Sequence, residues 1–81
     1  MLKVKDNIDL KVLEKYGFKF DRGTTYIKQF SCEDTYIIVS ECELRVIDIY
    51  LDVFDRENEI NYIAETLYDL IKADLIEKGE G

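Results

Sequence analysis

"TTYIKQFSCEDTYIIVSECELRVIDIYLD", residues 24–52, is rich in β-branched and aromatic residues, and its reading decides the fold. "TTYIKQF" at 24–30 and "TYIIVSE" at 35–41 are separated by "SCED", which makes a β-hairpin the natural reading. A second break at Glu41 to Glu43 leads into "LRVIDIYLD" at 44–52. In a strand over this segment, Arg45, Ile47, Ile49 and Leu51 share one face and Val46, Asp48, Tyr50 and Asp52 the other. The first, largely aliphatic face is expected to pack on the core. "YIIV" at 36–39 offers apolar side chains to both faces of its strand. The sheet is therefore either covered on both sides or presents one apolar face to another chain.

Outward from this segment the periodicity changes. "LKVK" at 2–5 alternates apolar and cationic residues, as a short strand does. Asp6 or Asn7 is then suited to cap a helix over about Ile8 to Tyr16, with Asp9 in its first turn and Gly17 at a left-handed C-cap. Val12, Leu13 and Tyr16, with Ile8 or Leu10, form its apolar side. Phe18 and Phe20 bracket Lys19 before a turn at "DRG", 21–23. Beyond the sheet, Ile60, Ile63, Ala64, Leu67, Leu70 and Ile71 recur at three- and four-residue spacing and predict a second helix over about Asn58 to Ala73. "LIEK" at 75–78 reads as its last turn or as a short strand after a break at Asp74, and the strand is preferred. The expected architecture is a single α+β domain over 1–81, a three-stranded antiparallel meander with two helices packed on it, extended or not by the terminal strand, in the order (β)-α-β-β-β-α-(β).

"LKVLEKYGF" at 10–18, the Tyr- and Ile-rich strands and "LYDLIKADLIEK" at 67–78 together resemble short uncharacterised proteins encoded by phages and prophages of Gram-positive bacteria. The resemblance covers most of the chain. It implies a mobile-element origin and no activity. The chain departs from it at Asp74, where such proteins often have glycine.

An 81-residue domain buries only about 60 to 65 % of the surface its unfolded chain exposes, so modest stability is expected. Six Tyr and four Phe supply a core despite the short length. No apolar run approaches the ~20 residues of a membrane-spanning helix, and "MLKVKDNIDL" lacks the apolar segment of a secretory signal. The expected location is the cytoplasm, with Cys32 and Cys42 reduced. The net charge of −7 is uneven: residues 1–40 hold seven Lys/Arg and six Asp/Glu, residues 41–81 four and twelve. Such a chain is repelled by nucleic acid and anionic lipid and attracted to basic proteins.

The residues available restrict the chemistry. The chain has no histidine, which removes the Ser-His and Cys-His pairs and the commonest general base at neutral pH. Asp48 and Asp52 lie four strand positions apart, roughly 13 Å at ~3.3 Å per residue, too far to flank one glycosidic bond. Asp55, Glu57 and Glu59 have the spacing that opens a calcium loop. Ile60, however, stands where its glycine belongs and Thr66 where its bidentate glutamate belongs. The glycines at 17, 23, 79 and 81 form no phosphate cradle. Lys3, Lys5, Lys11, Lys15, Lys19, Arg22 and Lys28 are interspersed with six carboxylates and read as solubilising charges rather than a phosphate-tracking stripe. No catalytic residue, cofactor or metal site is therefore expected.

What remains is a non-enzymatic, acidic protein–protein interaction or regulatory module with an unidentified basic protein partner. Two alternatives are a DNA-mimicking inhibitor of a host nucleic-acid-binding protein (a nuclease, repressor or CRISPR effector) and, well behind, a metal-dependent enzyme. The expected partner-binding residues are Asp48, Tyr50, Asp52, Asp55, Glu57, Glu59, Glu65 and Asp69, whose short spacing suggests one negative field. Tyr26, Tyr36 and Tyr50 are aromatics of the type enriched at interfaces, and the second apolar face of the sheet suits a homodimer.

Overall fold

A computed structural model of the chain describes residues 1–30, 34–51 and 56–79, the side chains of 56–59 excepted. The elements run β1 (Leu2–Val4), the 3₁₀ helix η1 (Leu10–Tyr16), β2 (Lys19–Arg22), β3 (Thr25–Gln29), β4 (Tyr36–Ser40), the 3₁₀ turn η2 (Glu41–Glu43), β5 (Asp48–Tyr50), α1 (Arg56–Lys72) and β6 (Ile76–Lys78). Strands β2-β3-β4-β5 form one antiparallel sheet and β1-β6 a second. The class is α+β. The expected meander of three strands is thus corrected to four, and the terminal strand builds a separate sheet with β1 rather than extending the meander.

The added strand, β2, follows from the residues around Gly23. That glycine takes a left-handed φ of 57°, so the chain reverses there and Lys19 and Phe20 pair with Ile27 and Tyr26. The turn expected at 21–23 is found at 23–24, because Asp21 and Arg22 belong to the strand, with a register irregularity between Phe20 and Arg22. The Phe20 ring meets Tyr26 edge-on at 5.7 Å.

The first helix differs from expectation in type and cap. Leu10, Leu13 and Tyr16 recur every third residue, and in a 3₁₀ helix such residues stack on one side. Asp9 is the N-cap, its carboxylate accepting from the Lys11 N–H at 3.0 Å; it displaces Asp6 and Asn7 from that role. At the other end Gly17 adopts φ 92°, its N–H bonding to Glu14 O and the Phe18 N–H to Leu13 O, which closes the helix and turns Phe18 inward. The same device ends α1. Asp74 takes φ 60°, its N–H bonds to Ile71 O and the Leu75 N–H to Leu70 O, and Leu75 enters the core.

The segment expected as a strand over 44–52 is strand only at 48–50. Leu44 and Arg45 both have left-handed φ, 58° and 61°, which ends the alternation on their side. The next residues instead join β1: the Val4 N–H donates to Arg45 O at 3.0 Å and the Ile47 N–H to Leu2 O at 2.9 Å, around a Lys3–Val46 bridge. Thus β1 lies between β6 and residues 45–47 and ties the two sheets together.

One core serves both sheets. Ile37 and Val39 from β4, Ile47, Val4 from β1, Leu10 and Leu13 from η1, Phe18, Ile63 and Leu70 from α1, and Leu75 and Ile76 make a continuous buried cluster. Ile37 and Val39 point to the same side of the sheet, and both η1 and α1 contribute to the cluster they join. Both helices therefore cover one face of the four-stranded sheet. Ile49, opposite Ile37, faces the same side but lies on the outermost strand and is 40 % exposed, so the expected core face of residues 45–51 is buried at Ile47 alone.

Candidate interaction surfaces

The face of the sheet turned away from the helices follows from the register. Lys19 pairs with Ile27, Ile27 with Ile38 and Ile38 with Asp48, so these four side chains form one row across all four strands. The row has a cation at one end, two aliphatic residues in the middle and a carboxylate at the other. In the adjoining row Gln29 pairs with Tyr36 and Tyr36 with Tyr50. The two tyrosine rings stack at 4.8 Å, inclined by 23°. Ile27, Ile38 and Tyr36 are half-buried by their neighbours and Tyr50 is half-exposed. None of them joins the core cluster, and among the described residues no element packs on this face. A shallow depression between Ile38, Ser40, Glu43, Asp48 and Tyr50 opens on it.

A second surface lies on α1. Its inner side carries Ile63, Thr66 and Leu70, all buried. On its outer sides Ile60, Tyr62, Tyr68 and Ile71 are each about half-exposed, with Glu65 and Asp69 exposed between them. At 100° per residue Ile60, Ala64, Tyr68 and Ile71 fall on one flank, whereas Tyr62, Glu65 and Asp69 lie toward the opposite one. The helix thus presents apolar and acidic groups to solvent together.

Beneath it, Lys28 reaches from the core side of β3 to donate to the Thr66 hydroxyl at 2.9 Å, and that hydroxyl donates to Tyr62 O at 3.0 Å. Partial burial pushes the Lys28 ammonium below its ordinary pKa; the nearby charges of Asp69 and Glu65 oppose the shift without cancelling it. A third feature is an open cleft of about 610 Å³ where β1, β6 and η2 meet. Four of the charges that line it form two pairs, Lys3 with Asp6 at 2.8 Å and Arg45 with Glu41, and Glu77 and Lys78 line it as well. Arg45 also donates to the carbonyls of Lys5 and Ile8. Cations and carboxylates therefore alternate around this cleft, and its two pairs hold Lys3 and Arg45 away from an anion. Among the described residues no three Cys, Asp or Glu side chains converge as a metal-binding group, and no helix is long and apolar enough to cross a membrane.

The structure places the sequence-predicted partner residues unevenly. Asp48 and Tyr50 lie on the open sheet face, and Glu65 and Asp69 lie on α1, which packs on the other face. These four do not form one field on one side of the molecule. Asp52 and Asp55, and the side chains of Glu57 and Glu59, fall outside the described residues, as does Cys32. Cys42 is an exposed free thiol in η2, 3.7 Å from the Thr24 hydroxyl. Sequence reasoning missed Lys19 as a counterpart to Asp48. The alternation of Phe18, Lys19 and Phe20 was the available signal, since it implies a strand with Lys19 facing away from both aromatics. Comparison with protein families, with curated proteins and with solved structures yields no match to this chain.

Proposed function

We propose that the protein is a small non-enzymatic protein–protein interaction or regulatory module of mobile-element origin, which binds a basic protein partner through the outer side of α1. The observation that supports this reading is the exposure of Ile60, Tyr62, Tyr68 and Ile71 around Glu65 and Asp69 on one helix. Exposed large apolar residues grouped on one element mark interaction sites, and tyrosine gives contact area at low entropic cost. The carboxylates select a partner of opposite charge, consistent with the acidic excess of residues 41–81. A DNA-mimicking inhibitor has less support, because Asp48 stands on the opposite side of the sheet from Glu65 and Asp69 instead of continuing their line.

The test is affinity capture from a Gram-positive bacterial lysate at low and moderate salt, comparing the wild type with a variant carrying Tyr62→Ser, Glu65→Gln, Tyr68→Ser and Asp69→Asn. All four side chains are exposed or lie outside the core cluster, so the variant is expected to keep the wild-type circular dichroism. The expected result is a basic protein retained by the wild type, less so as salt rises, and lost by the variant. Equal capture by both proteins, or no specific capture by either, counts against the proposal.

A further inference from the structure

We infer that the open face of the four-stranded sheet is a self-association surface on which a second copy of this chain docks face to face. The inference goes beyond the proposed use of α1 and rests on different residues. Its basis is the row Lys19–Ile27–Ile38–Asp48, which is apolar at the centre and oppositely charged at its two ends. The ends are three strand spacings apart, roughly 14 Å at ~4.8 Å each, so within one copy the two charges are too distant to pair.

Symmetry shows what this pattern fits. Closed dimers are commonly two-fold, with the same patch used by both copies. Let two such faces meet about a two-fold axis that runs along the strands, between β3 and β4. The rotation exchanges the two ends of the row. Lys19 of each copy then faces Asp48 of the other, and Ile27 of each faces Ile38 of the other. An axis running across the strands would instead set Lys19 against Lys19 and Asp48 against Asp48. The charges select the first arrangement. Packed sheets stand about 10 Å apart, a gap that the flexible four-carbon stem of lysine largely spans. The apolar centre, with the Tyr36–Tyr50 stack beside it, supplies the buried area. The overall charge of −7 opposes association at long range, but that repulsion is screened beyond about 8 Å at physiological salt. On the face itself the row is neutral.

The arrangement predicts a charge-exchange result. In K19E both cross-copy pairs become like-charged and negative; in D48K both become like-charged and positive. Mixing the two variants restores both pairs in a heterodimer, with no attractive arrangement left in either homodimer. Sedimentation equilibrium of the wild type, each variant and their equimolar mixture is the experiment, with I38K as a control at the apolar centre and circular dichroism to verify folding. The expected result is a wild-type dimer at micromolar concentration. Each charge variant should dissociate at least about tenfold more readily, the mixture should recover wild-type association, and I38K should be monomeric. A wild type that stays monomeric at high concentration would mean another occupant or none, and overturns the inference. So does a dimer indifferent to I38K, or a mixture that associates no better than its components.

Discussion

Replacing Arg45 by methionine removes a guanidinium that reaches three separate acceptors while keeping its apolar stem. The Arg45 side chain is only 12 % exposed, and its guanidinium donates to the carbonyls of Lys5, at 2.6 Å, and Ile8, as well as to the Glu41 carboxylate, at 2.7 Å from Nε. It thereby fastens the loop between β1 and η1 to the turn that follows β4. A hydrogen bond from a charged donor contributes about 1.5 to 3 kcal/mol. Two such bonds to part-buried carbonyls give at least about 3 kcal/mol, whereas the pair with the half-exposed Glu41 adds only ~0–1 kcal/mol. A domain of this length has roughly 4 to 12 kcal/mol in all, so R45M should cost a large share of it. Urea unfolding followed by circular dichroism and tyrosine fluorescence measures the loss. E41Q should cost no more than about 1 kcal/mol, and R45K should recover less than half of the R45M deficit, since a point charge cannot fork among three acceptors. An R45M loss below about 1 kcal/mol, or an E41Q loss as large as that of R45M, would falsify the view that the two carbonyls are the main partners.

Two further outcomes follow from other positions. Because burial holds the Lys28 pKa in the folded state below its ordinary value of 10.5, the unfolded chain binds more protons in the interval between the two values, and stability rises with pH there. The stability difference between wild type and K28M should therefore shift in favour of the wild type as pH is raised toward 10.5, and a flat difference over that interval contradicts the assignment. Asp74 occupies a left-handed φ of 60° while its carboxylate, exposed, pairs with Lys5 at 2.7 Å. D74G should relieve about 1 kcal/mol of backbone strain against an ion pair worth ~0–1 kcal/mol, leaving stability within about 1 kcal/mol of wild type, whereas D74V should lose more than that. Thermal melts of the two variants that coincide would refute the reasoning.

Local chemistry made much of the fold legible in the chain. The β-branched runs at 24–30 and 35–41 specify a pairing whose partners are close in sequence, so little loop entropy opposes it, and β3 and β4 form there. The three- and four-residue spacing from Ile60 to Ile71 predicted α1 within two residues of its observed ends, and the break at Asp74 became a helix cap. Alternation alone placed Asp48 and Tyr50 on the face opposite Ile47. Other features depended on contacts that no local pattern encodes. All four residues of β2 are exposed, and the strand exists because the edge of β3 offers it unpaired backbone groups. β6 pairs with β1 from the far end of the chain, which neither segment's composition can announce. Leucine and arginine have no intrinsic preference for positive φ, yet Leu44 and Arg45 adopt it. Their backbone N–H groups close the turn onto Glu41 and Ser40, and the Arg45 side chain is held by carbonyls about 40 positions away. The open sheet face had the same origin. Periodicity identifies which residues of β4 are apolar on each side, but only the packing of η1 and α1 on a single side decides that Ile37 is buried while Ile38 stays half-buried outside the core cluster.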